Sequence, residues 1–117
     1  MNITDLIDVT LPADDTDSFL PDAHKIISGS PVQRVWNLMS SADERFHSGI
    51  WDCQAGHWRI QYTEDEYCHI LEGESIIHDG QGGSKQVCAG DHFLIPAGFS
   101  GSWEVPVYCR KIYVVYE

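Results

Sequence analysis

The sequence predicts an all-β fold, a single small barrel preceded by an extended N-terminal arm, and three observations support this. From Phe46 onward, short runs rich in aromatic and β-branched residues follow one another. Turn-forming residues separate these runs at close spacing, as in sandwiches and barrels. The chain has 117 residues, enough for one domain with its own core and too few for a second. We expect the barrel interior to hold one small ligand.

Residues 1–43 are predicted to form the arm. Their periodicity is weak, and the segment LPADDTDSFLPDAH is rich in Asp and Pro. Pro12, Pro21 and Pro31 disfavour long helices, because proline removes a backbone donor and clashes with the preceding turn. Such an arm commonly wraps over a barrel or adds an edge strand in a dimer, so we expect a homodimer.

Residues 44–117 are predicted to form the barrel. The glycines of the segment HDGQGG permit the positive φ values that a hairpin needs, and Pro96 ends its strand because it lacks an N–H to donate. The predicted strands are 46–52, 57–62, 66–72, 74–79, 84–88, 91–95, 101–105 and 108–116.

Charge and composition exclude several classes of partner. The formal net charge is -11, from 18 acidic and 7 basic residues, so a nucleic-acid backbone would be repelled. No apolar run approaches the roughly 20 residues of a membrane span. The first residues lack the basic and apolar regions of a signal peptide. We therefore expect a cytoplasmic protein with neither a nucleic-acid nor a membrane partner.

The cysteines are scattered through the predicted strands at Cys53, Cys68, Cys88 and Cys109. They form no CxxC pair and have no zinc-like spacing. We expect reduced thiols that serve as small buried apolar side chains, and neither a disulfide nor a nucleophile.

Two blocks of the sequence carry a family resemblance. The first runs from Gly56 to Gly73 and ends in Leu-Glu-Gly, and the second begins at Gly90 and contains Gly-Asp, Ile-Pro-Ala-Gly and Ser-Trp-Glu-Val. With these blocks, residues 44–116 resemble the cupin superfamily. Within it they resemble the small single-domain group typified by the ureidoglycine aminohydrolase cupin domain and by ethanolamine-utilisation cupins. The resemblance implies an RmlC-like jelly-roll β-barrel.

The resemblance also bears on metal binding. In metal-binding cupins the first motif carries two histidines and a glutamate, and the second carries one histidine. The matching residues here are Arg59 and Gln61, or Ile60 and Tyr62 if the turn is one residue shorter, and Gly101 in the second motif. The glutamate alone is retained, and a lone carboxylate holds a transition metal poorly. We therefore expect no metal and no other cofactor.

Strand alternation predicts which side chains face the interior. If Glu66 faces inward, Cys68 and Ile70 share its face, and Tyr67 and His69 face away. The same rule directs Trp103 inward. The histidines are expected at ordinary surface or hydrogen-bonded positions, not at a metal site.

The side chains expected in the interior outline a candidate ligand pocket. Because burial disfavours the ionised form of a carboxylate, Glu66 is the candidate catalytic acid or base. The alternative is a structural role, in which Glu66 pairs with Arg59 or caps the turn at residues 63–66. The missing side chain at Gly101 is expected to leave room beside Trp103. An aromatic wall with few polar anchors suits a small organic ligand. The candidate pocket residues are Arg59, Gln61, Tyr62, Cys68, Phe93 and Trp103.

Three functions are compatible with this sequence. The first is a metal-independent small-molecule-binding domain accessory to a catabolic pathway. The second is an enzyme of hydrolase, lyase or isomerase type that resembles ureidoglycine aminohydrolase and uses Glu66 with or without a metal. The third is a structural domain that dimerises, and a largely filled barrel would favour it.

Overall fold

A computed structural model describes all 117 residues and has the predicted all-β architecture. Besides the strands it contains only two short 3-10 turns, Ile3–Asp5 and Ala23–Lys25. The strands are β1 (Ser18–Phe19), β2 (Ile26–Gly29), β3 (Gln33–Ser40), β4 (Phe46–Gln61), β5 (Asp65–His78), β6 (Ser84–Cys88), β7 (His92–Ile95) and β8 (Ser100–Tyr116). No helix has the length and apolarity needed to cross a membrane.

The strands form one antiparallel sheet that wraps around the interior. Its main path runs β1-β3-β4-β8-β5-β6, while β2 pairs with β4 and β7 pairs with β5. The last strand, β8, therefore lies between β4 and β5 along most of its length. Side chains of these three long strands make up most of the inner surface.

Several predicted breaks are bends within long strands instead of turns between strands. The runs 57–62, 74–79 and 108–116 each continue the strand before them. The pairing register shifts at Ala55 and around Gly73, as expected of β-bulges. Gly73 has a φ of 75°, and a Cβ there would lie 1.9 Å from the carbonyl oxygen of Tyr108. Only glycine permits this close approach of β5 to β8.

The predicted arm is partly built into the sheet. Residues 18–40 supply β1, β2 and β3, and β3 pairs along its length with β4. Two residues that precede these strands also contact the barrel. The indole N–H of Trp36 donates to the carbonyl oxygen of Asp14 at 3.0 Å, and Arg34 forms ion pairs with Asp15 and with the buried Asp52. These contacts attach residues 14 and 15 to the barrel.

The core occupies the inside of the wrapped sheet. Three of the four cysteines are buried there and all four are unpaired, while Cys88 is exposed. The core residues are Trp51, Cys53, Trp58, Cys68, Ile70, Ile77, Val87, Ile95, Trp103, Val105, Cys109 and Tyr113.

Candidate functional site

Strand β5 directs alternate side chains into the barrel. Glu66, Cys68 and Ile70 are buried, whereas Tyr67 and His69 are partly exposed on the outer face. This is the predicted alternation. A carboxylate is thereby placed in the interior.

The end of β4 adopts the second of the two predicted registers. Trp58 is buried and Ile60 and Tyr62 are partly buried against the core, while Arg59 and Gln61 are exposed. The Arg59 guanidinium donates to the carbonyl oxygen of His24 at 3.4 Å, so it pairs with the arm and not with Glu66. Arg59 and Gln61 therefore lie at the edge of the site.

The interior also holds a lysine that lies outside the predicted set of pocket residues. Lys111 on β8 is 4% exposed. Its Nζ lies 3.2 Å from Oε2 of Glu66 and 3.6 Å from Sγ of Cys68. It also lies 4.7 Å from the ring centroid of Trp51 and 4.3 Å from that of Trp103, within range of cation–π attraction. The Glu66 carboxylate therefore has a buried cationic partner.

The surroundings favour the charged form of this lysine. Burial alone lowers the pKa of Lys111, but the neighbouring Cys68 and Glu66 outweigh that effect and raise the pKa above its ordinary value. Burial raises the pKa of the Cys68 thiol to about 12. The Glu66 carboxylate, 3.2 Å away, is thus the direct partner of the ammonium.

Tyrosines complete the polar part of the interior. The Tyr62 hydroxyl donates to Oε1 of Glu66 at 2.6 Å, and burial and the Glu66 charge raise the pKa of Tyr62 well above its ordinary value. The Tyr113 hydroxyl donates to Oδ1 of Asn37 at 2.8 Å. Both hydroxyls therefore stay protonated and act as donors.

A cavity of about 630 Å³ adjoins these groups. Its wall includes Glu66, Lys111 and the indoles of Trp51, Trp58 and Trp103, and arm residues including Pro21 and Lys25 border it. The Trp51 indole N–H is held by Oε1 of Gln33 at 2.7 Å, and the Trp103 indole N–H by Oγ of Ser75 at 2.9 Å. Because these indoles are fixed, the cavity has preformed aromatic walls.

The other predicted pocket residues lie around this cavity at different depths. Tyr62 and Trp103 line it, and Arg59 and Gln61 line its exposed edge. Cys68 is fully buried behind Lys111. Phe93 packs against Trp103 with ring centroids 6.5 Å apart but lies outside the cavity.

Gly101 does not provide the extra space predicted beside Trp103. A Cβ at Gly101 would lie 1.9 Å from the carbonyl oxygen of His78. The position is glycine because β8 and β5 approach each other closely there, and no side chain fits without moving the backbone.

These residues do not fit the metal site of metal-binding cupins. Ile60 and Gly101 offer no donor atom, and the Tyr62 hydroxyl is engaged with Glu66. The one carboxylate at the matching positions, Glu66, faces the ammonium of Lys111. A divalent cation placed beside Glu66 would meet a positive charge and lack the three or more ligands it requires.

Most histidines lie away from the cavity. His47 lines it, with Nδ1 lying 2.7 Å from Oγ of Ser40. His69 and His92 lie side by side outside it, with ring centroids 5.7 Å apart. His78 contacts Glu104 on β8, at 2.9 Å from Nε2 to Oε1.

The chain matches the sequence model of the EutQ-like cupin domain over residues 40–113, more than half of its length. No functionally curated protein is similar to the chain in sequence.

Solved structures show the same fold. A protein of unknown function from Pseudomonas syringae superposes with a TM-score of 0.80 at 24% identity, over 93% of this chain and 46% of that one. This chain thus spans about half the length of that relative. The EutQ protein of Clostridium difficile superposes with a TM-score of 0.66 at 24% identity, over 84% of this chain and 73% of that one. A Salmonella typhimurium protein described as ethanolamine utilization protein Q gives 0.64 at 21% identity, over 83% and 77%.

Proposed function

This chain belongs to the EutQ-like cupin domain family, and from that premise we propose that it is a metal-independent binding domain for a small organic molecule, accessory to a catabolic pathway. The observation that carries the proposal is the Lys111–Glu66 ion pair at the wall of a cavity of about 630 Å³. A cavity of this size is typical of small-molecule sites, which range over roughly 300–1,000 Å³.

The side chains of the cavity wall suggest which chemical groups the ligand has. Lys111 offers N–H donors, and Tyr62 and Glu66 lie beside it. Three indoles supply a rigid apolar surface. We propose a small carboxylate, whose oxygens would accept from Lys111 while its carbon skeleton packs on the indoles of Trp51 and Trp103.

The cellular setting is part of the same proposal. Two of the structurally similar proteins are described as EutQ or ethanolamine utilization protein Q, which suggests service to a catabolic pathway. The four unpaired cysteines are compatible with a reducing cytoplasm.

Ligand binding is tested with small carboxylates and their matching amides. Benzoate and acetate are titrated against benzamide and acetamide, and binding is followed by tryptophan fluorescence and by calorimetry. We expect saturable binding of a carboxylate that is lost in the double variant Glu66→Gln/Lys111→Met, which keeps the interior neutral. The control Lys85→Gln, at an exposed residue of β6 outside this cavity, is expected to retain binding. Equal binding of carboxylates and amides, or no binding of either, contradicts the carboxylate proposal.

Catalysis by Glu66 is the second candidate, and the hydrogen bond from Tyr62 to Glu66 favours it. This contact supplies a proton donor and an acceptor side by side at the cavity wall. A general acid or base role predicts that Glu66→Gln abolishes turnover of a bound ligand while binding persists. Turnover that survives Glu66→Gln would contradict it.

We also propose that the chain forms a homodimer through its outer surface. Leu94 on β7 is 74% exposed, and it borders a shallow groove with Tyr67, Val114 and Tyr116. Exposed contiguous apolar surface of this kind commonly marks a protein interface. The open cavity argues against dimerisation as the sole function, since a purely structural barrel has no need of one.

A further inference from the structure

The outer face of the barrel carries a second cluster of polar side chains. It lies where β4, β8 and β5 run side by side, and there His57 pairs across the sheet with Glu104 while His78 pairs with Ser102. Successive residues of a strand point to opposite faces. The core residues Trp58, Ile77, Trp103 and Val105 are immediate chain neighbours of His57, His78 and Glu104. The cluster therefore points away from the cavity.

The side chains of this cluster converge on one point. The imidazole rings of His57 and His78 have centroids 5.0 Å apart. Nε2 of His78 lies 2.9 Å from Oε1 of Glu104, and Nε2 of His57 lies 2.7 Å from Oγ of Ser102. One nitrogen of each imidazole and one oxygen of Glu104 all lie within 4.8 Å of one another.

We propose that His57, His78 and Glu104 form a binding site for a divalent transition cation, with Zn²⁺ as the best match. Two imidazoles and a carboxylate are ordinary zinc donors, with bonds of roughly 2.0–2.2 Å. Tetrahedral bonds of that length require donor atoms about 3.4 Å apart. All three side chains are only partly buried, so small rotations bring them to that spacing. The fourth position is left to water.

Pairwise contacts alone do not account for the arrangement. The bonds of His78 to Glu104 and of His57 to Ser102 satisfy each histidine separately, yet both imidazoles are also held close to each other. The backbone fixes the three residues on adjacent strands, so little ordering is needed when a cation binds. The net charge of -11 also attracts a cation to the surface.

The chain provides its own comparison site. His69 and His92 also lie side by side, with ring centroids 5.7 Å apart. They form no group of three donors. If two neighbouring histidines were sufficient for Zn²⁺, both pairs would bind it; if the carboxylate is required, only the cluster with Glu104 does so.

This proposal does not depend on the function proposed for the interior. The cation site and the Lys111–Glu66 pair lie on opposite faces of the sheet, and no residue belongs to both. Loss of Zn²⁺ binding therefore leaves carboxylate binding testable, and the reverse also holds.

The test is a calorimetric titration of the full-length chain, stripped of metal with a chelator, with Zn²⁺ alone. We expect one Zn²⁺ per chain. His78→Ala is expected to weaken binding by more than about 100-fold, because losing even a group that merely orients a metal ligand costs roughly 10–100-fold. Glu104→Gln preserves the size of the side chain and is expected to weaken binding by at least about tenfold.

His92→Ala is the matched control and is expected to bind Zn²⁺ as the unmodified chain does. Co²⁺ provides a second readout, since its visible absorption reports nitrogen and oxygen ligation and is expected to disappear in His57→Ala. Circular dichroism of each variant verifies folding, and Glu104→Gln decides the matter if a histidine variant unfolds. Absence of Zn²⁺ binding, unchanged binding in Glu104→Gln, or loss of binding in His92→Ala would each overturn the proposal.

Discussion

Lys111 and Glu66 form an ion pair that is almost completely removed from solvent. Their charged atoms are 3.2 Å apart, and their side chains are 5% and 7% exposed. Transfer of two charges from water into a protein interior is costly, and it is tolerated when each charge balances the other. The pair therefore links the stability of the barrel to the chemistry of its cavity.

Removal of the lysine charge alone is expected to destabilise the fold. Lys111→Met leaves the Glu66 carboxylate buried without a cation, which typically costs about 3–5 kcal/mol of unfolding free energy. Urea denaturation followed by tryptophan fluorescence measures the loss. The double variant Glu66→Gln/Lys111→Met is expected to recover most of it, because a neutral, similarly sized replacement of a buried pair is often harmless. A single variant as stable as the unmodified chain would show that the pair is not buried in solution.

Stability is expected to fall at alkaline pH. Burial raises the pKa of Cys53 and of Cys68 to about 12, and that of Tyr113 to about 12. The ordinary thiol value is 9.0, so above it the unfolded chain releases protons that the folded chain keeps. The stability that these retained protons contribute is fully present below pH 9 and is lost as the pH rises towards 12. Lys111, whose pKa is raised above 10.5, acts in the same direction.

Urea midpoints between about pH 8 and about pH 11 measure this dependence. Each buried thiol adds a slope of roughly 1.4 kcal/mol per pH unit once its unfolded form has ionised. Cys53→Ala removes one titrating group and is expected to reduce the slope. A stability that stays level or increases over this range would contradict the burial of the thiols.

Gly101 is expected to tolerate no side chain. In Gly101→Ala the new Cβ would lie 1.9 Å from the carbonyl oxygen of His78, and the backbone must shift at a cost of about 3 kcal/mol. Gly82→Ala is the control. Gly82 has a φ of 90° but no atom within 4 Å of a Cβ, so only backbone strain of roughly 1 kcal/mol applies. Equal thermal shifts in the two variants would argue against the close contact between β8 and β5.

Alternation along a strand accounts for what the sequence predicts correctly about the site. Once Glu66 is placed in the interior, alternation assigns Cys68 and Ile70 to the same face and Tyr67 and His69 to the opposite one, as the structure has them. Lys111 is different, because the stretch around it has polar residues on both faces. Arg110 lies outward and pairs with Glu72 at 3.0 Å, while Lys111 lies inward. Sequence does not reveal which of two adjacent basic residues is buried, since the choice depends on the distant carboxylate of Glu66.

The N-terminal arm shows a second case in which the local sequence pattern does not predict the structure. Trp36 and Arg34 fall within residues 1–43, predicted as an extended arm of weak periodicity, yet they belong to the eight-residue strand β3. Their strand conformation is stabilised by pairing with β4 and by contacts of Arg34 with Asp52 and Asp15. Such tertiary partners override weak local propensity.

The proposed homodimer leads to a prediction about Leu94. Its side chain is 74% exposed beside the groove of Tyr67, Val114 and Tyr116, so Leu94→Glu is expected to place a charge in the interface and to yield a monomer. Light scattering coupled to size-exclusion chromatography measures the mass directly. Val107→Glu is the matched control because Val107 is equally exposed, at 74%, and does not border this groove.

Burying a charge without a partner costs several kcal/mol, whereas a charge that stays in water costs little, so only Leu94→Glu is expected to dissociate the dimer. A dimer that survives Leu94→Glu but dissociates in Val107→Glu would place the interface elsewhere, and a monomeric unmodified chain would refute the dimer.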